Sequence, residues 1–141
     1  MRVCGLVALA IAAVVLVACG ETVIIEAVRP FRIVLHREEG LTGAWVDTPS
    51  GPEKIAAIGV KVTAGGVSMH GLALNVNPDL DFFRGIIPCG VADKPVTSMA
   101  KLLGSDCPTV SEVSAVMQTA FGKTFDCEFE PKTIDKTLYP K

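Results

Sequence analysis

The sequence predicts an α+β domain, a mixed layer of helices and sheet, from three observations. Short runs rich in β-branched residues alternate with glycine-bearing breaks, as strands and turns do. Near the carboxyl end, a capping-box pattern precedes apolar residues at helical spacing, which indicates a helix. Half of the 141 residues are apolar, although only 6% are aromatic. We therefore expect a mostly aliphatic core between a sheet and a few helices.

The first 20 residues form an apolar segment with two interpretations. The uninterrupted apolar run over 6–18 is shorter than the roughly 20 residues of a membrane-spanning helix. It suits the hydrophobic region of a signal peptide, and residues 16–20 resemble a bacterial lipoprotein processing site, at which Cys19 would be lipidated. Alternatively, the segment is a helix that continues through Ala27 until Pro30 ends it.

The rest of the chain is divided into short elements. The expected order is a strand over 31–35, a polar turn over 37–40, a strand over 43–46 and a loop over 47–52. Two longer apolar runs, 54–62 and 67–76, are separated by a glycine-bearing break, which predicts a β-hairpin. Thr109 and Glu112 form the capping box of the later helix, and Gly122 would end that helix.

Composition argues against two classes of function. The net charge is -2, and no basic stripe interleaved with aromatic residues is present, so we expect no nucleic-acid partner. The five cysteines are odd in number, irregularly spaced and without a CxxC pair, which argues against both a disulfide framework and a structural zinc site. With only two histidines, the sequence predicts no metal site.

Cys89 is the best candidate for a nucleophile, because it lies between Pro88 and Gly90 in an expected loop. A thiol with the ordinary pKa of about 8.5 needs a nearby cation or base to react at neutral pH. Lys54, at the head of an apolar strand, could supply one. An inert thiol and a solvated lysine remain alternatives, as does a papain-like set of Cys89 with His70 and Asn75.

Four stretches together resemble the lipoyl(octanoyl) transferase family in their order and spacing. They are TGAWV at 42–46, KIAAIGV at 54–60, HGLALNVN at 70–77, and IPCG at 87–90 followed by VTSM at 96–99. This resemblance covers roughly residues 40–125. It implies part of a catalytic domain like that of biotin and lipoate protein ligases, with no metal or organic cofactor.

The resemblance also implies an activity and the residues that perform it. The family transfers an octanoyl group from octanoyl-acyl carrier protein to a lysine of lipoyl domains, in 2-oxoacid dehydrogenases and in the H protein of the glycine cleavage system. Cys89 would carry the acyl group as a thioester, and Lys54 would activate Cys89 and later accept a proton from the incoming lysine amine. The acyl-binding positions would be Ala57, Ile58, Gly59, Gly71, Leu72 and Ala73.

The family also has an upstream Arg-Gly-Gly and His-Gly-Pro-Gly-Gln stretch that this sequence lacks. We therefore expect the carboxyl-terminal portion of a family member, with an apolar segment over 1–20, a shortened catalytic domain over 21–130 and a loose tail over 131–141. Alternatives are an inactive remnant and an exported lipoprotein with a binding module. Because the acyl donor and acceptors are intracellular, we expect a cytoplasmic protein (mitochondrial in a eukaryote) with no membrane partner.

Overall fold

The structure, a computed structural model, describes residues 5–65, 67–85 and 94–129; the side chains of 5–14, 84 and 85 are outside that description. The elements in order are α1 (Gly5–Val28), β1 (His36–Glu38), β2 (Leu41–Thr48), β3 (Gly51–Val62), β4 (Ser68–Leu74), α2 (Met99–Leu103) and α3 (Val110–Phe125). Short 3-10 helices cover Arg29–Phe31, Leu80–Gly85 and Gly104–Asp106. This mixture of helices and sheet confirms the predicted α+β class.

The strands form one antiparallel sheet in the order β1-β2-β3-β4, so each strand pairs with its neighbour in the chain. The predicted hairpin of β3 and β4 is confirmed, with Ile58 opposite Leu72. The Thr63 N–H donates to the carbonyl of Val67 at 2.9 Å and closes the turn.

Helix α1 continues without interruption across residue 20, where the apolar segment was expected to end. Its apolar side chains Val23, Ile24, Ala27 and Val28 are buried against the sheet and α3. In the 3-10 helix that follows, Pro30 occupies the first turn, where its missing N–H leaves no hydrogen bond unmade. Within the described part of the chain, no helix is both long and apolar enough to cross a membrane.

The predicted strand over 31–35 is wrong. Phe31 belongs to the 3-10 helix, and strand pairing begins at His36, opposite Trp45. Ile33 and Leu35 are buried whereas Val34 is 83% exposed. The alternation in the sequence therefore reflects burial of one side of an extended segment, whereas a strand also needs a partner for its backbone hydrogen bonds.

The turns between the first strands are shorter than the composition predicted. Arg37 and Glu38 belong to β1, so the predicted turn over 37–40 shrinks to its last two residues. In the predicted loop over 47–52, the pairs Asp47–Pro52 and Thr48–Gly51 extend the ladder. The Thr48 hydroxyl donates to the Gly51 carbonyl at 2.8 Å, which helps to close this hairpin. Turn-forming residues indicate a reversal of the chain, but they do not give its length.

The carboxyl-terminal helix α3 begins as predicted and ends later. The Glu112 N–H donates to the Thr109 hydroxyl, and the Thr109 N–H donates to the Glu112 carboxylate, so the capping box is confirmed. The prediction that Gly122 ends the helix is wrong, because α3 continues to Phe125 and Asp126 forms its left-handed cap. A Cβ at Gly122 would lie 2.8 Å from the Cys127 carbonyl oxygen, so this glycine permits a close backbone approach.

Candidate functional site

Lys54 is held in the middle of the sheet and is not a solvated lysine. It lies on β3, opposite Trp45 of β2, and only 9% of its surface is exposed. Beyond the end of β4, the chain returns alongside β3, where Val96 forms a parallel bridge with Lys54. The Lys54 N–H donates to the Pro95 carbonyl at 2.8 Å, and the Lys54 carbonyl accepts from the Thr97 N–H at 2.9 Å. Both backbone groups of Lys54 are therefore hydrogen-bonded to the same returning segment.

Trp45 places an aromatic face beside two ammonium groups. Its ring centroid lies 5.3 Å from Lys54 Nζ and 5.9 Å from Lys94 Nζ, within the range of cation–π attraction. Lys94 also pairs with Glu38 at 3.0 Å. The hydrogen bond from Lys94 is the main reason that the pKa of the Glu38 carboxyl is below its ordinary value.

Gly43 forms the surface against which the Lys54 side chain packs. Its φ is +123°, a conformation that side chains rarely permit. A Cβ at this position would lie 2.6 Å from Lys54 Cε, 3.3 Å from Lys54 Nζ and 2.4 Å from the Ala56 carbonyl oxygen. The absence of a side chain at Gly43 therefore provides the space that Lys54 occupies.

The six predicted acyl-binding residues lie together on the β3–β4 ladder, in the pairs Ala57–Ala73, Ile58–Leu72 and Gly59–Gly71. Because side chains alternate between the faces of a sheet, the middle pair and the outer pairs point in opposite directions. Ala57, Gly59, Gly71 and Ala73 are exposed, and they leave a strip of nearly bare backbone. We call these four residues the small-residue strip.

The Ile58–Leu72 pair faces the helices, where it lines an apolar cavity of about 320 Å³. Leu16 and Gly20 of α1 and Phe121 and Phe125 of α3 also line it, together with residues 60 and 68–71 of the hairpin, so that Gly71 borders both surfaces. The predicted set is thus divided between two surfaces, a division that the contiguous sequence motifs do not reveal.

His70 and Asn75, from the alternative papain-like set, are not placed as the histidine and asparagine of such a site. His70 and Asn75 are five positions apart on and just beyond β4, which separates them by roughly 16 Å of extended chain. The Asn75 side chain donates to the Thr97 carbonyl at 3.0 Å, and its backbone bonds to Ile55 and Met99. Asn75 therefore has a structural role and cannot orient His70.

Cys89 itself, with Pro88 and Gly90, lies outside the described residues. The cysteines that are described, Cys19, Cys107 and Cys127, are free thiols. Over the described ranges, no cluster of three or more histidine, cysteine, aspartate or glutamate side chains could hold a metal ion.

Sequence reasoning missed the residues that surround Lys54, above all Glu21. Glu21 is only 7% exposed, and its Oε1 accepts a hydrogen bond from the Gly43 N–H at 3.1 Å. A signal was present, since Glu21 precedes Ile24 and Val28 by three and seven positions and therefore lies on the buried stripe of α1. A carboxylate on such a stripe indicates a specific buried partner.

Comparison with known proteins agrees with this architecture. The family model described as the lipoyl protein ligase A/B catalytic domain matches residues 17–122. Among solved structures, the chain resembles one from an archaeal lipoylation system of Thermoplasma acidophilum, described as a bi-partite lipoate protein ligase and its E2 lipoyl domain. The TM-score is 0.66 at 17% identity, over 85% of this chain and 48% of that one, which is a similarity of fold.

Curated relatives are more similar in sequence. The octanoyltransferase of Chloroflexus aurantiacus is 45% identical over 108 residues, which are 77% of this chain and 47% of the relative. That of Gloeobacter violaceus is 43% identical over 123 residues, or 86% and 51%. That of Koribacter versatilis is 48% identical over 106 residues, or 74% and 41%. The chain spans about half the length of these relatives, and it belongs to the lipoyl protein ligase A/B catalytic domain family.

Proposed function

We propose that this chain carries the acyl-transfer centre of an octanoyltransferase, with Cys89 as nucleophile and Lys54 as its activating base. The observation that carries the proposal is the placement of Lys54. A lysine buried in a central strand and fixed through both backbone groups is unusual, because burial of its charge is costly. The similarity to octanoyltransferases supports octanoyl as the transferred group.

Covalent geometry permits the pairing of Lys54 with Cys89. The Pro95 carbonyl is bonded to the Lys54 N–H, and Cys89 precedes Pro95 by six positions. Six residues span at most about 22 Å when fully extended, so Cys89 cannot be farther than that from Pro95. A conformation in which the Lys54 and Cys89 side chains meet is well within that reach.

The proposed reaction has two acyl transfers. The Cys89 thiolate attacks the thioester carbonyl of octanoyl-acyl carrier protein, and the carrier thiolate leaves and takes a proton from the Lys54 ammonium. The amine of an acceptor lysine then attacks the Cys89 thioester. Neutral Lys54 accepts the proton of that amine, an amide bond forms and the Cys89 thiolate is released. No metal or organic cofactor takes part in either transfer.

We propose that the octanoyl chain lies along the small-residue strip. Small side chains leave room for an apolar chain, and burial of each methylene contributes about 0.8 kcal/mol. Ile58 and Leu72 would contribute through their backbone, because their side chains face the helices. The strip would hold the acyl group, while Lys54 acts at its thioester end.

The proposed acceptors are lipoyl domains of 2-oxoacid dehydrogenases and the H protein of the glycine cleavage system. The lipoate protein ligase of Thermoplasma acidophilum belongs to a lipoylation system together with its E2 lipoyl domain, which supports this class of acceptor. Because octanoyl-acyl carrier protein and these acceptors are intracellular, we propose a cytoplasmic location. The alternative is a remnant that lacks activity.

The decisive experiment is intact mass spectrometry of the purified chain after incubation with octanoyl-acyl carrier protein. The full-length Gloeobacter violaceus relative serves as positive control. We expect an octanoyl adduct that neutral hydroxylamine removes, that Cys89→Ala abolishes and that Lys54→Ala forms more slowly. In Cys89→Ser, any adduct should be an ester that resists hydroxylamine.

Two control variants test one other thiol and the histidine. Cys107→Ala should still form the adduct, because the Cys107 thiol lies near the Val76 and Pro108 carbonyls, at 3.8 and 3.5 Å. His70→Ala should also form it, whereas loss of the adduct there would favour a cysteine–histidine hydrolase. A folded wild-type chain that forms no adduct, beside an active positive control, would contradict the proposal and support the remnant.

A further inference from the structure

Glu21 of α1 has a buried carboxylate with both oxygens in use. Its Oε1 accepts from the Gly43 N–H at 3.1 Å, and its Oε2 accepts from Arg37 Nε at 2.8 Å. A buried carboxylate costs free energy unless it is paired and hydrogen-bonded, and this one is both. The side chain therefore joins helix α1 to two different strands at one point.

Arg37 makes this junction rigid. Its Nη2 also donates to the Thr22 hydroxyl at 2.8 Å and to the Ala18 carbonyl at 3.1 Å, so the guanidinium binds α1 at three acceptors. The planar, multiply bonded guanidinium fixes the orientation of the Glu21 carboxylate, as charge-assisted pairs do. Oε1 is thereby aimed at a single backbone group, the N–H of Gly43.

Gly43 is next to an irregularity in the pairing of β2 with β3. Ala44 pairs with Ala56 and Trp45 pairs with Lys54, so β3 has one extra residue here, Ile55, and the ladder is locally disrupted. The backbone beside such a bulge needs other partners. The hydrogen bond from Gly43 to Glu21 supplies one, and the Lys54 side chain packs directly against the resulting surface.

We infer that Glu21 is a positioning residue for Lys54. It fixes the backbone at Gly43. Because the Lys54 side chain packs against Gly43 and Trp45, this also fixes the position of the Lys54 ammonium group. The inference rests on the proposed role of Lys54 as the base. Because a misplacement of about 1 Å can reduce a rate by about 100-fold, release of the Gly43 backbone should slow acyl transfer without removing any reacting group.

The test uses a signal that does not depend on activity. The chain is labelled with ¹³C at lysine Cε, and the Lys54 resonance is assigned from its loss in Lys54→Arg. Because the Trp45 ring is 5.3 Å from Lys54 Nζ, the ring current shifts this resonance and reports the position of the side chain. Lys94→Arg identifies the second lysine beside the ring.

Glu21→Ala should move the Lys54 resonance toward the value of a lysine far from any ring, and Glu21→Gln should move it less, because an amide oxygen can still accept from Gly43. The matched control is Glu26→Gln on the same helix, whose partner Arg29 is exposed. It should leave the resonance unchanged. If Glu21→Ala does not fold, the nearly isosteric Glu21→Gln and Arg37→Met provide the same measurement.

If folded Glu21 variants lower the unfolding temperature but leave the Lys54 resonance in place, Glu21 only stabilises the fold and the inference is wrong. An equal shift in Glu26→Gln would also overturn it. Where wild type forms the acyl adduct, Glu21→Ala should form it about 100-fold more slowly. Where wild type forms none, the proposed function fails, whereas the resonance still decides whether Glu21 positions Lys54.

Discussion

The space that a side chain at Gly43 would need is filled by Lys54: an ideal Cβ on Gly43 would lie 2.6 Å from Lys54 Cε. The two residues are on adjacent strands, and the TGAWV and KIAAIGV stretches of the sequence meet at this contact. The glycine of the first stretch is therefore matched to the lysine of the second.

Gly43→Ala should lower the free energy of unfolding by about 3 kcal/mol, because it adds steric overlap to an unfavourable φ. Gly40→Ala is the matched control. Gly40 also has a positive φ, of 75°, but its Cβ would meet no described atom within 4 Å. Only the conformational cost of about 1 kcal/mol should appear there. If urea denaturation shows the same loss of unfolding free energy in Gly43→Ala and Gly40→Ala, the contact with Lys54 contributes nothing.

Thr97→Val should stabilise the protein. Thr97 is fully buried, and its hydroxyl has no hydrogen-bond partner among the described residues. Replacement by a methyl group removes an unpaired polar group, which should raise the free energy of unfolding by about 1 kcal/mol.

The neighbouring residue supplies the contrast for that measurement. The Ser98 hydroxyl accepts from the Lys101 N–H at 3.2 Å and caps α2. Ser98→Ala should therefore lower the free energy of unfolding by about 1 kcal/mol. A destabilising Thr97→Val, measured in the same denaturation series, would mean that its hydroxyl has a favourable partner.

Glu112 should make the stability of α3 depend on acidity. The hydrogen bonds from the Thr109 side chain and backbone lower the pKa of the Glu112 carboxyl below its ordinary value. A lowered folded-state pKa means that the contribution is complete above about pH 4.3, the ordinary value for glutamate, and is lost as the pH falls through the folded value.

The measurement compares thermal unfolding of wild type and Glu112→Gln between about pH 7 and pH 3. The difference in unfolding temperature between wild type and Glu112→Gln should be constant near neutral pH and should shrink below about pH 4.3. Glu128→Gln, outside the capping box, serves as control. An advantage that persists unchanged to the lowest pH would contradict the role of the charged carboxylate.

Local sequence patterns predicted the elements that are determined by interactions between residues close together in the chain. The capping box at Thr109 and Glu112 uses groups only three positions apart, and the β3–β4 hairpin is specified by two apolar runs and a glycine-bearing turn. The end of α3 could not be predicted in this way. At Gly122 the carbonyl oxygen of Cys127 leaves no room for a side chain, and this contact exists only after the chain has turned back.

The sequence by itself determined the fold class, the family resemblance and Lys54 as the candidate base, because these depend on residue type and spacing. Tertiary structure alone decided that Lys54 is buried beside Trp45, that the predicted acyl-binding set is divided between two faces and that Glu21 holds Gly43. Glu21 and Gly43 are 22 positions apart. Interactions over such separations depend on how helices and strands pack, and no local pattern of residues encodes that packing.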